Sequence, residues 1–229
     1  FWVLGDGACH TNAQSDHPEI DSIYYLVDQS VPELGHLYTL SSYSTNFAST
    51  FWVASEDTIF DSDDSSISEL SGTEAHYYIR RGLDYFHDEH DFDGVDDSGA
   101  RLGVVVDFIG CNAYYNHLFD VTSYGLGGIC NNWTTYPWSA DPDIVGHELA
   151  HGITFHSSGL LYQNHSGALN ESLSDIFGYL IEHDITGNTS WGLATEIFIY
   201  PEGNSLRDLS NPPLYSDPDR LFGPFYVAE

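Results

Sequence analysis

The sequence predicts an α+β protein of two lobes: a β-rich N-terminal lobe over residues 1–141 with one helix near 73–90, and a helical C-terminal lobe over residues 142–229. Three observations predict it. Aromatic and β-branched stretches crowd the first part of the chain, apolar residues recur at helical spacing after Asp143, and Pro137, Ala140 and Pro142 break the chain between the two patterns. With 229 residues, 41% of them apolar and 15% aromatic, the chain can build its core unaided, which excludes intrinsic disorder and a small stapled scaffold.

Residues 22–29 and 47–53 carry the strand character of the N-terminal lobe, and a polar, acid-rich loop follows them. Near residue 73 the period changes. Thr73 can cap a helix in which Ala75, Tyr78, Ile79, Leu83 and Phe86 recur at three- and four-residue steps. Residues 102–108 read as a buried strand, far too short to cross a membrane, and lead into a Gly- and Asn-rich segment ending near Pro142. A helix is expected from Asp143 through about Ser157. A second should run from Ser166 or Leu169 to His183, with Leu173, Ile176, Phe177 and Leu180 as its apolar face. The tail beyond Pro201 has four further prolines and no helix longer than a few turns.

Charge narrows the partners. Thirty-five acidic residues face five basic ones, all Arg, for a formal net charge of -30, and Lys and Met are absent. Nucleic acid and anionic membrane both need basic patches that this chain lacks, so neither is expected as a partner. The negative field instead invites cations or adaptation to salt. The acidic runs Asp61-Ser-Asp-Asp64 and 88–97 are expected to face solvent or hold a cation. Cys9, Cys111 and Cys130 allow at most one internal bridge, with Cys111 to Cys130 the first choice beside three isolated thiols. Beginning at Phe1 without initiator Met or signal peptide, the chain reads as a processed or trimmed product.

The chemistry centres on His147-Glu148-Leu149-Ala150-His151. Histidines four apart share a helix face and can converge on one metal, while Glu148 turns aside toward a metal-bound water. Glu171 and Asp175 lie one turn apart on the second helix. If the helices pack antiparallel, Glu171 completes a His, His, Glu set and leaves the fourth tetrahedral position to water. Asp175 is then placed to accept from the distal nitrogen of His147 or His151. By the same packing Asp143, one turn before His147, meets Glu182, and two facing carboxylates call for a cation with oxygen ligands, calcium.

The segment Val145-Gly-His-Glu-Leu-Ala-His-Gly152, with Gly159-Leu-Leu-Tyr-Gln-Asn-His-Ser-Gly-Ala-Leu-Asn-Glu-Ser-Leu-Ser-Asp-Ile-Phe-Gly178, resembles the thermolysin-type family of secreted zinc endopeptidases. The likeness extends upstream through Ala75-His-Tyr-Tyr and Asn112-Ala-Tyr-Tyr, and downstream through Ser205-Leu-Arg-Asp-Leu and Asp217-Pro-Asp. It implies zinc on His147, His151 and Glu171, and Glu148 as the group that deprotonates the water and later protonates the leaving amine. It implies Tyr162 as donor to the developing oxyanion, and Asn112, the Ala113 carbonyl and Arg207 as holders of the substrate backbone. Asp175 matches the ligand-orienting aspartate, and Asp143 and Glu182 match calcium ligands, although residues 190–195 offer no further carboxylate. The His, His, Glu set is the family's own pattern, so the resemblance does not add an independent ligand assignment.

The resemblance further implies a monomeric, extracellular endopeptidase, freed of signal peptide and propeptide, acting on peptides or proteins with an apolar residue after the scissile bond. It also implies a later histidine that assists Tyr162. No histidine follows His183. These residues alone are therefore expected to be shortened at the C-terminal end and weakly active, with a further segment of the same protein completing the cleft. Two alternatives remain: an inactive or weakly active zinc-binding fragment of such a protease, and a salt-adapted, cation-binding structural protein.

Overall fold

The computed structural model describes residues 24–42, 50–55, 67–220 and 223–226. Cys9, the run Asp61-Ser-Asp-Asp64 and parts of the two expected N-terminal strands lie outside the described residues. In chain order the N-terminal lobe contains β1 (Tyr24–Tyr25), β2 (Val27–Asp28), β3 (Leu37–Ser41), β4 (Phe51–Trp52) and β5 (Ala54–Ser55). Helix α1 (Ile67–His90) precedes β6 (Leu102–Phe108), β7 (Ala113–Asn116), β8 (Val121–Gly125), β9 (Gly128–Cys130) and β10 (Trp133–Thr135). Then come α2 (Pro142–His156), α3 (Asn164–Thr186), β11 (Gly192–Leu193), β12 (Phe198–Tyr200) and β13 (Arg207–Asp208).

The main sheet is mixed, with spatial order β2, β3, β6, β8, β7, and β4 pairing with β3 as well. Its centre is parallel: β3 pairs with β6 from Leu37 against Leu102 to Ser41 against Val106, and β6 pairs with β8. Every residue of β6 is buried, as a central parallel strand covered on both faces requires. Helix α1 packs on β3, β6 and α2 through Ala75, Ile79, Leu83 and Phe86, all buried at the helical spacing read from the sequence. The helix starts six residues before Thr73, which lies inside it rather than capping it.

Strand β7 closes one side of the sheet, pairing antiparallel with β8 and with no second partner among the described residues. The expected Gly- and Asn-rich connection thus holds four short strands, and a disulfide between Cys111 and Cys130 ties the start of β7 to the end of β9. Closing a loop of this length contributes about 3 kcal/mol by restricting the unfolded chain.

Helices α2 and α3 form the second lobe. Pro142 opens α2, and the Asp141 carboxylate accepts from the Asp143 N–H at its N-terminus. Helix α3 is longer than expected at both ends and stops at Gly187, whose left-handed φ of 73° caps it with an N–H to His183 O. The helices run antiparallel, as contacts from His151 to Asn170 at one end and from Gly146 to Gly178 further along show. At that crossing Gly178 has no room for a side chain, because a Cβ there would stand 2.5 Å from the Asp143 carbonyl oxygen, and a Cβ on Gly146 would already press on Gly178 Cα at 3.1 Å. This contact selects the inward face of α3. Gly167, Asn170, Ser174, Asp175, Gly178, Ile181 and Glu182 are buried, whereas Ile176, expected on the buried face, is exposed. Phe177 still packs against Phe86 of α1.

Candidate metal centre and cleft

One turn of α2 brings His147 and His151 together, with ring centroids 4.6 Å apart. Glu171 reaches them from α3: its Oε2 lies 3.5 Å from His147 Nε2 and its Oε1 lies 3.5 Å from His151 Nε2. A tetrahedral ion with bonds of ~2.1 Å holds its ligand atoms ~3.4 Å apart, so the spacing and the donor set of two imidazoles and one carboxylate fit zinc. Among the described residues no other group of three or more His, Cys, Asp or Glu side chains draws its ligand atoms this close.

Hydrogen-bonding neighbours turn these rings. His147 Nδ1 lies 2.8 Å from Asp175 Oδ1, an oxygen that also accepts from Arg207 at 2.6 Å. His151 Nδ1 donates to Asn170 Oδ1 at 2.6 Å and lies 3.1 Å from Ser174 Oγ. Asn170 thus holds the Nδ1 side of His151, the Asp175 carboxylate stands against that of His147, and both rings keep Nε2 facing Glu171. Sequence reading placed Asp175 and left its histidine open between two; the structure pairs it with His147. It missed Asn170 and Ser174, although they share the face of Glu171 and Asp175. Tyr162 donates its hydroxyl to Glu171 Oε1.

The electrostatics follow from this packing. Burial acts to lower His147, but Asp175 and Glu171 outweigh it and raise the group to about 9. Burial acts to raise Glu171, and the donors His147 and Tyr162 reverse it, to about 2. Glu148 is 6% exposed, and burial pushes it up to about 7. Its carboxylate lines the same cleft as Tyr115, and Oε2 has no hydrogen-bond partner among the described residues.

The metal centre opens on a cleft of about 610 Å³ between α2, α3 and β7. Because the Asn112 carbonyl accepts from Gly125 N, the alternation of an antiparallel pair turns the main-chain groups of Ala113 and Tyr115 toward the free edge of β7. Arg207, placed by the pairing of β13 with β11, also lines the cleft. A second cavity of about 80 Å³ touches His147, Glu148 and Arg207 and is walled by Trp138, Ile144, Leu193 and Leu206.

Comparison with known proteins bears on this geometry. The profile of the thermolysin metallopeptidase catalytic domain matches residues 5–155, and that of the thermolysin metallopeptidase alpha-helical domain matches residues 158–225. The chain belongs to the thermolysin metallopeptidase family. It is 36% identical over 199 residues to bacillolysin from Bacillus cereus, covering 86% of this chain and 34% of that protein. It is 35% identical over 219 residues to thermolysin from Alicyclobacillus acidocaldarius subsp. acidocaldarius, covering 95% and 38%. A solved structure described as the precursor of protealysin, a metalloproteinase from Serratia proteamaculans, superposes with a TM-score of 0.59 at 26% identity, covering 75% of this chain and 52% of that one. The chain thus spans about a third of the length of these two sequence relatives.

Within this thermolysin-family fold, the other acidic pair lies at the far end of the α2–α3 contact. Asp143 and Glu182 are 3% and 2% exposed, and Asp141 and Glu196 join their electrostatic neighbourhood. Burial, then the Asp141 charge, raises Asp143 well above the usual carboxylate range; burial raises Glu182 to about 7. Protein donors already reach these groups: Ala194 N–H to Asp143, Glu196 N–H to Asp141 and the Asn188 amide to Glu182. In the acidic run 88–97, Asp96 accepts from the N–H groups of Ser98 and Ala100, and Asp97 from that of Asp93. No helix among the described residues is long and apolar enough to cross a membrane.

Proposed function

We propose that this chain carries the catalytic centre of a secreted, zinc-dependent endopeptidase that hydrolyses internal peptide bonds preceding an apolar residue. The observation that carries the reading is the convergence of His147, His151 and Glu171 beside a buried Glu148, all facing one cleft. Zinc held by those three residues would activate water near neutral pH and polarise the scissile carbonyl. Glu148, raised toward neutrality, takes a proton from the attacking water and gives it to the amide nitrogen as the C–N bond breaks. One water is consumed, and an amine and a carboxylic acid leave.

The remaining residues hold and stabilise. Asp175 and Asn170 keep the two imidazoles turned toward the metal position. The Tyr162 hydroxyl, 70% exposed in its residue and free to leave Glu171, donates to the carbonyl oxygen as charge develops. Asn112 and the Ala113 carbonyl bind substrate as a strand added to the edge of β7, and Arg207 donates to a carbonyl beyond the cut. The cavity of about 80 Å³ takes the side chain after the scissile bond, and its small size favours Val or Leu over Phe. Calcium is the cation we assign to Asp143 and Glu182, where it would relieve the repulsion of buried carboxylates.

The test is peptide hydrolysis by the full-length protein before and after chelation, with product termini read by mass spectrometry. Loss of cleavage on chelation, recovery with zinc, and new N-termini that begin with medium apolar residues are expected. Chelator-insensitive cleavage would overturn the zinc mechanism, and new N-termini beginning with charged residues would overturn the substrate assignment. Unchanged thermal unfolding in calcium and in chelator, at matched ionic strength and constant zinc, would remove calcium from Asp143 and Glu182.

A further inference from the structure

Behind the free edge of β7, three side chains from two elements and a turn meet on one oxygen. Asp120 Oδ1 accepts from the Tyr115 hydroxyl at 2.5 Å and from His156 Nε2 at 2.8 Å. Tyr115 belongs to β7, Asp120 closes the β7–β8 turn with a positive φ of 49°, and His156 is the last residue of α2. A second observation shows how tightly the strand is pressed to the helix: a Cβ on Gly152 would stand 3.0 Å from Tyr115 Cε2 and 3.1 Å from Cζ. The Tyr115 ring therefore lies directly on α2, one residue beyond His151. The nearby Asp96 carboxylate does not compete for these groups, because it is occupied by the N–H groups of Ser98 and Ala100 and the Ser98 hydroxyl.

We propose that Asp120 is a positioning residue for proton transfer: by holding the Tyr115 hydroxyl and the His156 ring on one oxygen, it fixes the segment of β7 whose Tyr115 main-chain groups face the cleft shared with Glu148. The inference rests on the reading of Glu148 as proton acceptor. Its geometry is short and closed. The clasp joins the C-terminal end of α2 to β7, and the same α2 carries Glu148 two turns earlier, so the tie holds two walls of the cleft that contains Glu148. With the clasp broken, the turn of residues 117–120 and the Tyr115 ring lose their anchor on α2. The β7 wall of the cleft then shifts relative to Glu148, whose Oε2 has no hydrogen-bond partner among the described residues and whose orientation toward water becomes variable. A displacement of about 1 Å in such a group costs on the order of a hundred-fold in rate even when no contact to substrate is lost. Zinc ligation should be untouched, because the hydrogen bonds of the clasp do not involve His147, His151 or Glu171.

The experiment compares the full-length, zinc-loaded protein with Asp120→Ala, Asp120→Asn, Tyr115→Phe and the Asp120→Ala/Tyr115→Phe double variant. It reads kcat and KM on a quenched peptide, zinc content, and hydrogen exchange of the β7 amides. Asp120→Ala and Tyr115→Phe should each lower kcat by roughly ten- to a hundred-fold with KM and zinc content nearly unchanged. The double variant should be no worse than either single one, because both break the same link. Asp120→Asn keeps the acceptor oxygen and should stay within a few-fold of wild type. Exchange at Tyr115 should quicken at least ten-fold in Asp120→Ala. Unchanged kcat and unchanged exchange in Asp120→Ala would overturn the proposal, as would a rate loss that only follows the folded fraction. If the wild-type protein cleaves no peptide, the peptidase reading fails by itself; exchange at Tyr115 then still decides whether Asp120 holds that segment of β7 in place.

Discussion

Replacing Asp175 by Ala should weaken zinc binding without unfolding the protein. Asp175 Oδ1 is the acceptor nearest His147 Nδ1, at 2.8 Å, and its 2.6 Å contact with Arg207 keeps it turned toward that ring. Removing the carboxylate frees the imidazole to rotate and makes its Nε2 less basic. Loss of such a partner typically costs ten- to a hundred-fold in metal affinity, about 1.4 to 2.7 kcal/mol. Asp175→Asn retains a carbonyl oxygen for the His147 N–H but loses the charge opposite Arg207, so its loss should sit near the lower bound. The Arg207 side chain is 37% exposed and can turn to water, which limits the cost to folding. Competition with a chromophoric zinc chelator gives the affinities, and thermal unfolding of the metal-free variants checks the fold. Wild-type zinc affinity in Asp175→Ala would refute the claim that this carboxylate orients His147.

Other expectations follow from the same packing. The metal-free protein should be more stable at pH 5 than at pH 7.5: burial raises Glu74, Glu148 and Glu182 to about 7, so each favours the fold fully below its unfolded pKa near 4.5 and loses that contribution as pH rises toward 7. His76, lowered to about 4 by burial, and His151, also lowered by burial, act in the opposite sense below about 6.5, but the three carboxylates outnumber them, so a higher melting temperature at pH 7.5 would contradict the account. Gly178→Ala forces a Cβ against the Asp143 carbonyl at the α2–α3 crossing and should cost about 1 to 3 kcal/mol by denaturant titration; a neutral effect would mean that the helices can part without penalty. Trp138→Ala enlarges the cavity beside Glu148 and should shift selectivity toward Phe after the scissile bond by roughly ten-fold in kcat/KM, whereas an unchanged Leu to Phe ratio would remove Trp138 from substrate selection.

The parts of this molecule that were legible in sequence are those whose geometry is local. Four-residue spacing places His147 and His151 on one face whatever surrounds them, and the same rule pairs Glu171 with Asp175. The antiparallel contact between α2 and α3 entered as a condition under which Glu171 and Asp175 find partners, and the structure meets that condition. Helix α3 shows the limit. Its apolar periodicity pointed to Ile176 as a core residue, yet the face that turns inward is the small and polar one, because Gly178 allows close approach and Asn170, Ser174 and Asp175 meet the histidines. Strands β7 to β10 were read as connection because three to five residues between glycines and asparagines carry too little alternation to stand out. The Tyr115, Asp120 and His156 cluster joins β7, its turn and the end of α2, and no spacing along the chain announces it.

The central claim is that His147, His151 and Glu171 hold zinc while Glu148 moves the proton. Glu148→Gln in the full-length protein tests it most directly, because the amide keeps the shape while losing the ability to accept a proton. Zinc content and peptide turnover should be measured on the same preparation of variant and wild type. The account predicts one zinc per chain in both and a fall in kcat of at least about a hundred-fold in the variant. Turnover close to wild type with zinc in place would contradict it.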